Sequence, residues 1–197
     1  CFGSIADYTE LLLPNNILAE GGFVDMLNHT EFITDEDFKS PELIGWLYQF
    51  YISERKDEVF AKKGKFEADE IPAATQIFTP NWIVKYMVQN TVGRIYLDNN
   101  PYSTLEEKMQ YLVKPTEATP EDAILRIDDI KEYKLIDPAC GSGHILNEGF
   151  DLLYEMYMEE FYSPRMAIES IFRNNLIGID LDTRAKQLAP LALLRKA

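Results

Sequence analysis

Five residues in this chain have types and spacings that could do chemistry. They are the carboxylates Asp137 and Asp180, the glycines Gly141 and Gly143, and the hydroxyl of Thr79. Asp137 closes the apolar run Leu135-Ile136 and opens the stretch Asp137-Pro138-Ala139-Cys140-Gly141-Ser142-Gly143-His144. Asp180 closes a second apolar run, Leu176-Ile177-Gly178-Ile179. An acid at a strand end can take a cation, and an acid at the next strand end can accept two hydroxyls in charge-assisted bonds. Glycines between them let the backbone come close to a ligand, because no Cβ intervenes. Thr79 stands before Pro80 as a candidate N-cap, and a helix start presents free amides and the positive dipole end to a carboxylate.

Ligand classes divide on what surrounds those residues. A phosphate-cradling P-loop ends in Gly-Lys-Ser/Thr, and no lysine follows Gly143. A dinucleotide fingerprint wants a third glycine where this chain has Leu146, and an acid about 20 residues on. Here Asp180 lies 37 residues past Gly143. S-adenosylmethionine has no pyrophosphate; it carries an ammonium, a sulfonium, a carboxylate and a ribose diol, which the two strand-end acids and the helix start match. A plain tight turn, with Asp180 as a surface cap, is the bland alternative. Cys140 sits inside the turn as a small residue, and His144 reads as the first residue of a helix rather than as a base.

The elements that must position these residues follow from periodicity. Lys134-Leu135-Ile136 reads as a short buried strand, then a glycine turn, then a helix through Ile145, Leu146, Phe150, Leu153 and Tyr157 to about Phe161. Pro164 breaks it, and Met166 to Phe172 forms another helix. Leu176 to Asp180 is a second strand, and Asp182 or Thr183 caps the next helix. This series opens a doubly wound α/β sheet. Ahead of it, the pattern predicts a helix from Pro80 through Ile95 and a turn at Asn99-Asn100-Pro101-Tyr102. A short helix follows from Leu105 to Leu112, then another within Glu121–Tyr133. Residues 1–75 read as a helical region and 76–197 as the cofactor-binding part. Within the first, Thr34 caps a helix start at Asp35-Glu36-Asp37. Ser40 and Pro41 start a long helix through Phe60 whose Leu43, Trp46, Leu47, Phe50 and Tyr51 make a core face, and residues 61–75 form a loop broken by Pro72.

The net charge is −14, with 15 acids against 6 bases in residues 1–75 and 18 against 13 in the rest. A surface gripping a duplex wants clustered Lys and Arg. The one tight basic cluster, Lys62-Lys63-Gly64-Lys65, is ringed by acids, so the composition speaks against this stretch holding DNA. Two cysteines, Cys1 and Cys140, and two histidines offer neither a disulfide framework nor a zinc set, which favours an intracellular, cytoplasmic setting. No apolar run approaches a membrane span. The first residue is Cys rather than Met and the last four lie inside a helical pattern, as expected of a piece of a longer chain.

These motifs carry a family resemblance. Asp137-Pro138-Ala139-Cys140-Gly141-Ser142-Gly143 resembles the cofactor motif of DNA methyltransferases that act on adenine N6. Phe78-Thr79-Pro80 resembles the motif that precedes it, and Gly178-Ile179-Asp180-Leu181-Asp182 the one that follows. More closely, Gln76-Ile77-Phe78-Thr79-Pro80-Asn81-Trp82-Ile83-Val84 is similar to the adenine-specific methyltransferase of BREX-type phage-defence systems, with type IIG restriction–modification enzymes as relatives. The resemblance covers roughly residues 41–197. It implies a Rossmann-like methyltransferase sheet that binds S-adenosylmethionine. Phe78, Thr79 and Pro80 would lie at the methionine end, and Asp137, Pro138, Ala139, Cys140, Gly141 and Gly143 around the amino-acid part. Asp180 would meet the ribose and Leu181 the adenine. Cys140 then has no nucleophilic role. The family's catalytic motif, Asn or Asp followed by Pro-Pro and Tyr or Phe, holds a flipped base. Asn99-Asn100-Pro101-Tyr102 lacks the second proline and precedes the cofactor strand, so it is a turn. The resemblance places no catalytic residue in these 197 residues. DNA would be held by other regions, and other phage-defence proteins are candidate partners. Two alternatives stay open: a non-catalytic cofactor- or partner-binding module, and a methyltransferase of a non-DNA substrate.

Overall fold

The computed structural model describes residues 13–39, 42–62, 64–117 and 119–197, with the backbone only at Ile44. The expected cap Ser40, the first-turn Pro41 and the terminal Cys1 lie outside them. The described elements are, in order, α1 (Phe23–His29), α2 (Asp35–Lys39), α3 (Glu42–Ala61), α4 (Ile71–Thr75), α5 (Asn81–Val88), α6 (Arg94–Asn99), β1 (Leu135–Asp137), α7 (His144–Glu159), α8 (Pro164–Ser170), β2 (Leu176–Gly178) and α9 (Thr183–Leu194). Among the described residues the molecule is helical around one small sheet, an α/β arrangement.

β1 and β2 run parallel, with Leu135 opposite Leu176 and Asp137 opposite Gly178. Parallel neighbours need a crossover, which α7 and α8 supply. The pairing continues past the strand ends: Ile179 N–H donates to the Asp137 carbonyl at 2.9 Å and Cys140 N–H to the Ile179 carbonyl at 3.0 Å. These two bonds bring both acids to the same end of the sheet, where the strands terminate. α7 buries Leu146, Phe150, Leu153, Met156 and Tyr157 against Val92, Tyr96, Tyr133 and Ile171. Its Gly149 lets the helix settle on the sheet, since a Cβ there would overlap the Leu135 side chain.

Other expectations are corrected. Residues 71–75 form α4, with Pro72 in the first turn, where a missing N–H costs nothing. Thr79 does not cap the next helix: α5 starts at Asn81, Pro80 takes the cap position and no side chain caps it. The expected helix does continue, through a π-helical turn at Gln89–Gly93 into α6. Leu105–Lys108, Glu121–Ala123 and Ile130–Glu132 are single 3₁₀ turns rather than longer helices. α3 turns a different face inward: Tyr48, Ile52 and Val59 are buried, while Trp46, Leu47, Phe50 and Tyr51 are exposed. At α2 the capping is reciprocal. Thr34 N–H donates to Asp37 Oδ2 at 2.8 Å and Asp37 N–H to Thr34 Oγ1 at 3.3 Å. Asp182, not Thr183, caps α9, accepting from Arg184 N–H at 2.9 Å.

Candidate functional site

The glycine turn is built from its two acids. Asp137 is 7% exposed, and its Oδ1 accepts from Ala139 N–H at 3.1 Å, which bends the chain out of β1. Asp180 reaches back across 39 residues: its Oδ2 accepts from Gly141 N–H at 2.7 Å, and its Oδ1 from Asp182 N–H at 2.7 Å. One carboxylate thus ties the loop after β1 to the loop after β2. Each of its oxygens keeps a second lone pair for a ligand. Gly141 and Gly143 both have positive φ, +52° and +85°. Gly141 fronts the opening, where an added Cβ would come within 3.4 Å of Gln76 Nε2. Gly143 instead serves helix packing, since a Cβ there would press on Ala189 of α9 at 2.9 Å.

A cleft of about 230 Å³ opens beside this turn. Its walls include Asp137, Pro138, Ala139, Cys140, Gly141, Asp180, Leu181, Phe78 and Thr79. Two expected residues, Pro80 and Gly143, are not on the walls; they shape the backbone on either side. Asp137 is pushed above the usual carboxylate range by burial, with Asp180 adding to the rise and the Ala139 hydrogen bond opposing it. Cys140 packs its thiol into the core beside Leu146 and Gly178. Burial chiefly, with the two nearby aspartates, pushes that thiol up to about 11, so it is an inert spacer and not a nucleophile.

Sequence reasoning missed the opposite wall, which α3 and the segment after it supply through Gly45, Gln49, Ile71, Pro72 and Gln76. Phe78 is held there by its backbone and its ring. Its N–H donates to Gln49 Oε1 at 2.7 Å. Its ring lies tilted on Trp46 at 4.7 Å and stacked on His144 at 4.4 Å and 25°. His144, also on the cleft wall, is therefore a platform for Phe78. Burial lowers its affinity for a proton, and the Glu42 carboxylate opposes that. Its Nε2 lies 3.8 Å from Glu42 Oε1 and lacks a hydrogen-bond partner among the described residues. A lone Gln within a helix and a His at a helix start give no sequence signal of these roles. Asn99 and Asn100 are spent on bonds to the backbone, Asn99 to the Ile95 and Leu125 carbonyls and Asn100 to the Tyr96 carbonyl, and Tyr102 is 97% exposed in a turn.

The cleft offers a buried carboxylate for a cation, a second carboxylate with spare lone pairs for a diol, glycine backbone, and an aromatic and a leucine for apolar contact. No group of three metal-ligating side chains converges among the described residues. None of the described helices is long and apolar enough to cross a membrane.

No protein-family model matches the chain. Among known proteins, it is 46% identical over 202 residues to the adenine-specific methyltransferase BrxX of Escherichia coli, matching 100% of this chain and 16% of that protein. It is 40% identical over 184 residues to the adenine-specific methyltransferase PglX of Lacticaseibacillus casei, matching 88% of the chain and 15% of that protein. A putative type II restriction enzyme and methyltransferase of Methanocaldococcus jannaschii is 26% identical over 174 residues. The chain is thus homologous to a segment of adenine-specific methyltransferases, and spans about one sixth of the length of these two relatives, BrxX and PglX.

Proposed function

We propose that this chain is the S-adenosylmethionine-binding part of a DNA adenine-N6 methyltransferase of a phage-defence or restriction–modification system, working in the cytoplasm. One observation carries the reading. Asp137 and Asp180 line one cleft with the glycine turn between them and Phe78–Thr79 facing them. The donor set suits this cofactor: a buried acid for the ammonium, an acid with spare lone pairs for the ribose diol, and Leu181 beside it for the adenine. Phosphate has no lysine or arginine to meet among the described residues on these walls.

When bound, the cofactor supplies the methyl group. This chain's residues then bind and orient it. Asp137 and Asp180 hold its two polar ends, and Phe78 with its His144 backing shields one side from water. The two-stranded sheet is read as the start of a Rossmann-like methyltransferase sheet, with residues 76–197 as its cofactor part and 1–75 as a helical N-terminal region. The Asn/Asp-Pro-Pro-Tyr/Phe acceptor and the DNA-holding surface are assigned to other parts of the protein.

Calorimetry with S-adenosylmethionine tests this on the intact protein and on Asp180→Ala. The substitution removes the diol's partner and the tie to Gly141, so affinity should fall by about 30-fold or more. Equal binding by the two proteins would remove Asp180 from the account.

A further inference from the structure

Resting on the cofactor reading above, we infer that Gln49, in the middle of α3, is the positioning residue for the Phe78–Thr79 wall, which makes α3 a working part of the cofactor site. Residues 76–80 belong to no helix or strand. A backbone segment of this kind stays where side chains fix it.

α3 fixes it at three points on one face. Gln49 Oε1 accepts from Phe78 N–H at 2.7 Å. Lys56, two turns on, donates from Nζ to the Gln76 carbonyl at 2.9 Å. Gly45, one turn back, leaves the space the Phe78 ring fills; a Cβ there would overlap that ring. Positions four and seven residues apart fall on the same helical face. From the other side, the His144 ring stacks on Phe78 at 4.4 Å. The aromatic wall is therefore clamped between α3 and the first residue of α7. Gln49 supplies a directional bond from α3 to the Phe78 peptide. α3 is tied in turn to the loop after β2, through the bond from the Tyr48 hydroxyl to the Asp182 carboxylate. The same helix thus spans both halves of the cleft.

The chemistry of the bond separates this role from direct ligand contact. Gln49 acts by accepting a hydrogen bond, and Glu accepts the same bond while Leu cannot. The intact protein is compared as wild type, Gln49→Glu and Gln49→Leu. The readouts are S-adenosylmethionine calorimetry, and amide hydrogen exchange of residues 76–80 without ligand. Gln49→Leu should bind about tenfold more weakly and exchange faster at Phe78, with an unchanged melting temperature. Gln49→Glu should stay within about threefold of wild type and keep Phe78 protected. Gly45→Ala, which displaces the ring without touching Gln49, should match Gln49→Leu in affinity. It carries the test if Gln49→Leu exchanges faster throughout and so fails to fold. Unchanged Phe78 exchange in Gln49→Leu overturns the tether. Unchanged affinity in Gln49→Leu overturns the positioning role. Gln49→Glu as weak as Gln49→Leu also overturns it, showing that the Gln49 amide meets the ligand itself. Failure of the wild type to bind S-adenosylmethionine overturns the cofactor reading instead, whatever the exchange shows.

Discussion

Asp137 carries an unusual load for one carboxylate. It is buried, its Oδ1 turns the chain by taking Ala139 N–H, and Asp180 stands nearby. Its folded pKa is raised, so the ionised form costs the free protein stability, and that cost disappears as pH falls through the raised pKa. A bound ammonium reverses the balance by stabilising the carboxylate. Binding of S-adenosylmethionine should therefore release a proton near that pKa, above the usual carboxylate value of about 4, and affinity should decline as pH falls through it. Calorimetry in two buffers of different ionisation enthalpy reads the released proton. Asp137→Asn should abolish the buffer dependence and weaken binding by about tenfold, while melting at least as high as wild type at neutral pH. The places of Asp137 at the end of β1 and of Gly141 in the turn were legible in the sequence because strand ends and glycine turns are local devices. Gln49, Gln76 and His144 were not, because their partners lie 29 to 66 residues away, at Phe78, Gly141 and Phe78.

At the scale of elements, periodicity found the helices that bury a full stripe and misjudged those that do not. α7 was legible from its apolar spacing and buries that stripe. In α3, aromatics occupy every face, so sequence could not choose which one turns inward. The choice fell to tertiary partners: Tyr48 bonds to Asp182 and packs with Ile52 against Ala185 and Leu188 of α9. Thr79 failed as a cap because Pro80 took that position. The π-helical turn at Ile171–Asn175, before β2, also escaped sequence reasoning. It delivers Asn175, wholly buried, to three partners: Oδ1 accepts from Tyr157 Oη–H at 2.9 Å, and Nδ2 donates to the Ile130 and Tyr133 carbonyls at 2.9 and 2.8 Å. That staple joins the crossover to the segment entering β1. Asn175→Ala leaves three buried groups without this partner and should cost about 2–4 kcal/mol in chemical denaturation. A loss below about 0.5 kcal/mol would mean the crossover is held otherwise.

The whole molecule adds a field to the site. The net charge is −14, and residues 1–75, from which α3 and α4 line one wall of the cleft, carry 15 acids against 6 bases. Such a surface repels the phosphates of a duplex and attracts a small cation. S-adenosylmethionine has an ammonium and a sulfonium against one carboxylate, whereas its demethylated product, S-adenosylhomocysteine, lacks the sulfonium charge. The acidic surface should therefore favour the methyl donor over the spent product through long-range attraction, in addition to the short-range contacts of Asp137. Salt separates the two terms, because the screening length shrinks from about 30 Å at 0.01 M to about 3 Å at 1 M, while a buried contact is screened far less. Across that range the affinity for S-adenosylmethionine should fall roughly threefold more than that for S-adenosylhomocysteine. Calorimetric titrations of both ligands at the two salt concentrations measure the ratio. Parallel salt responses would confine recognition of the charge to the cleft and assign the acidic residues outside it no part in choosing donor over product.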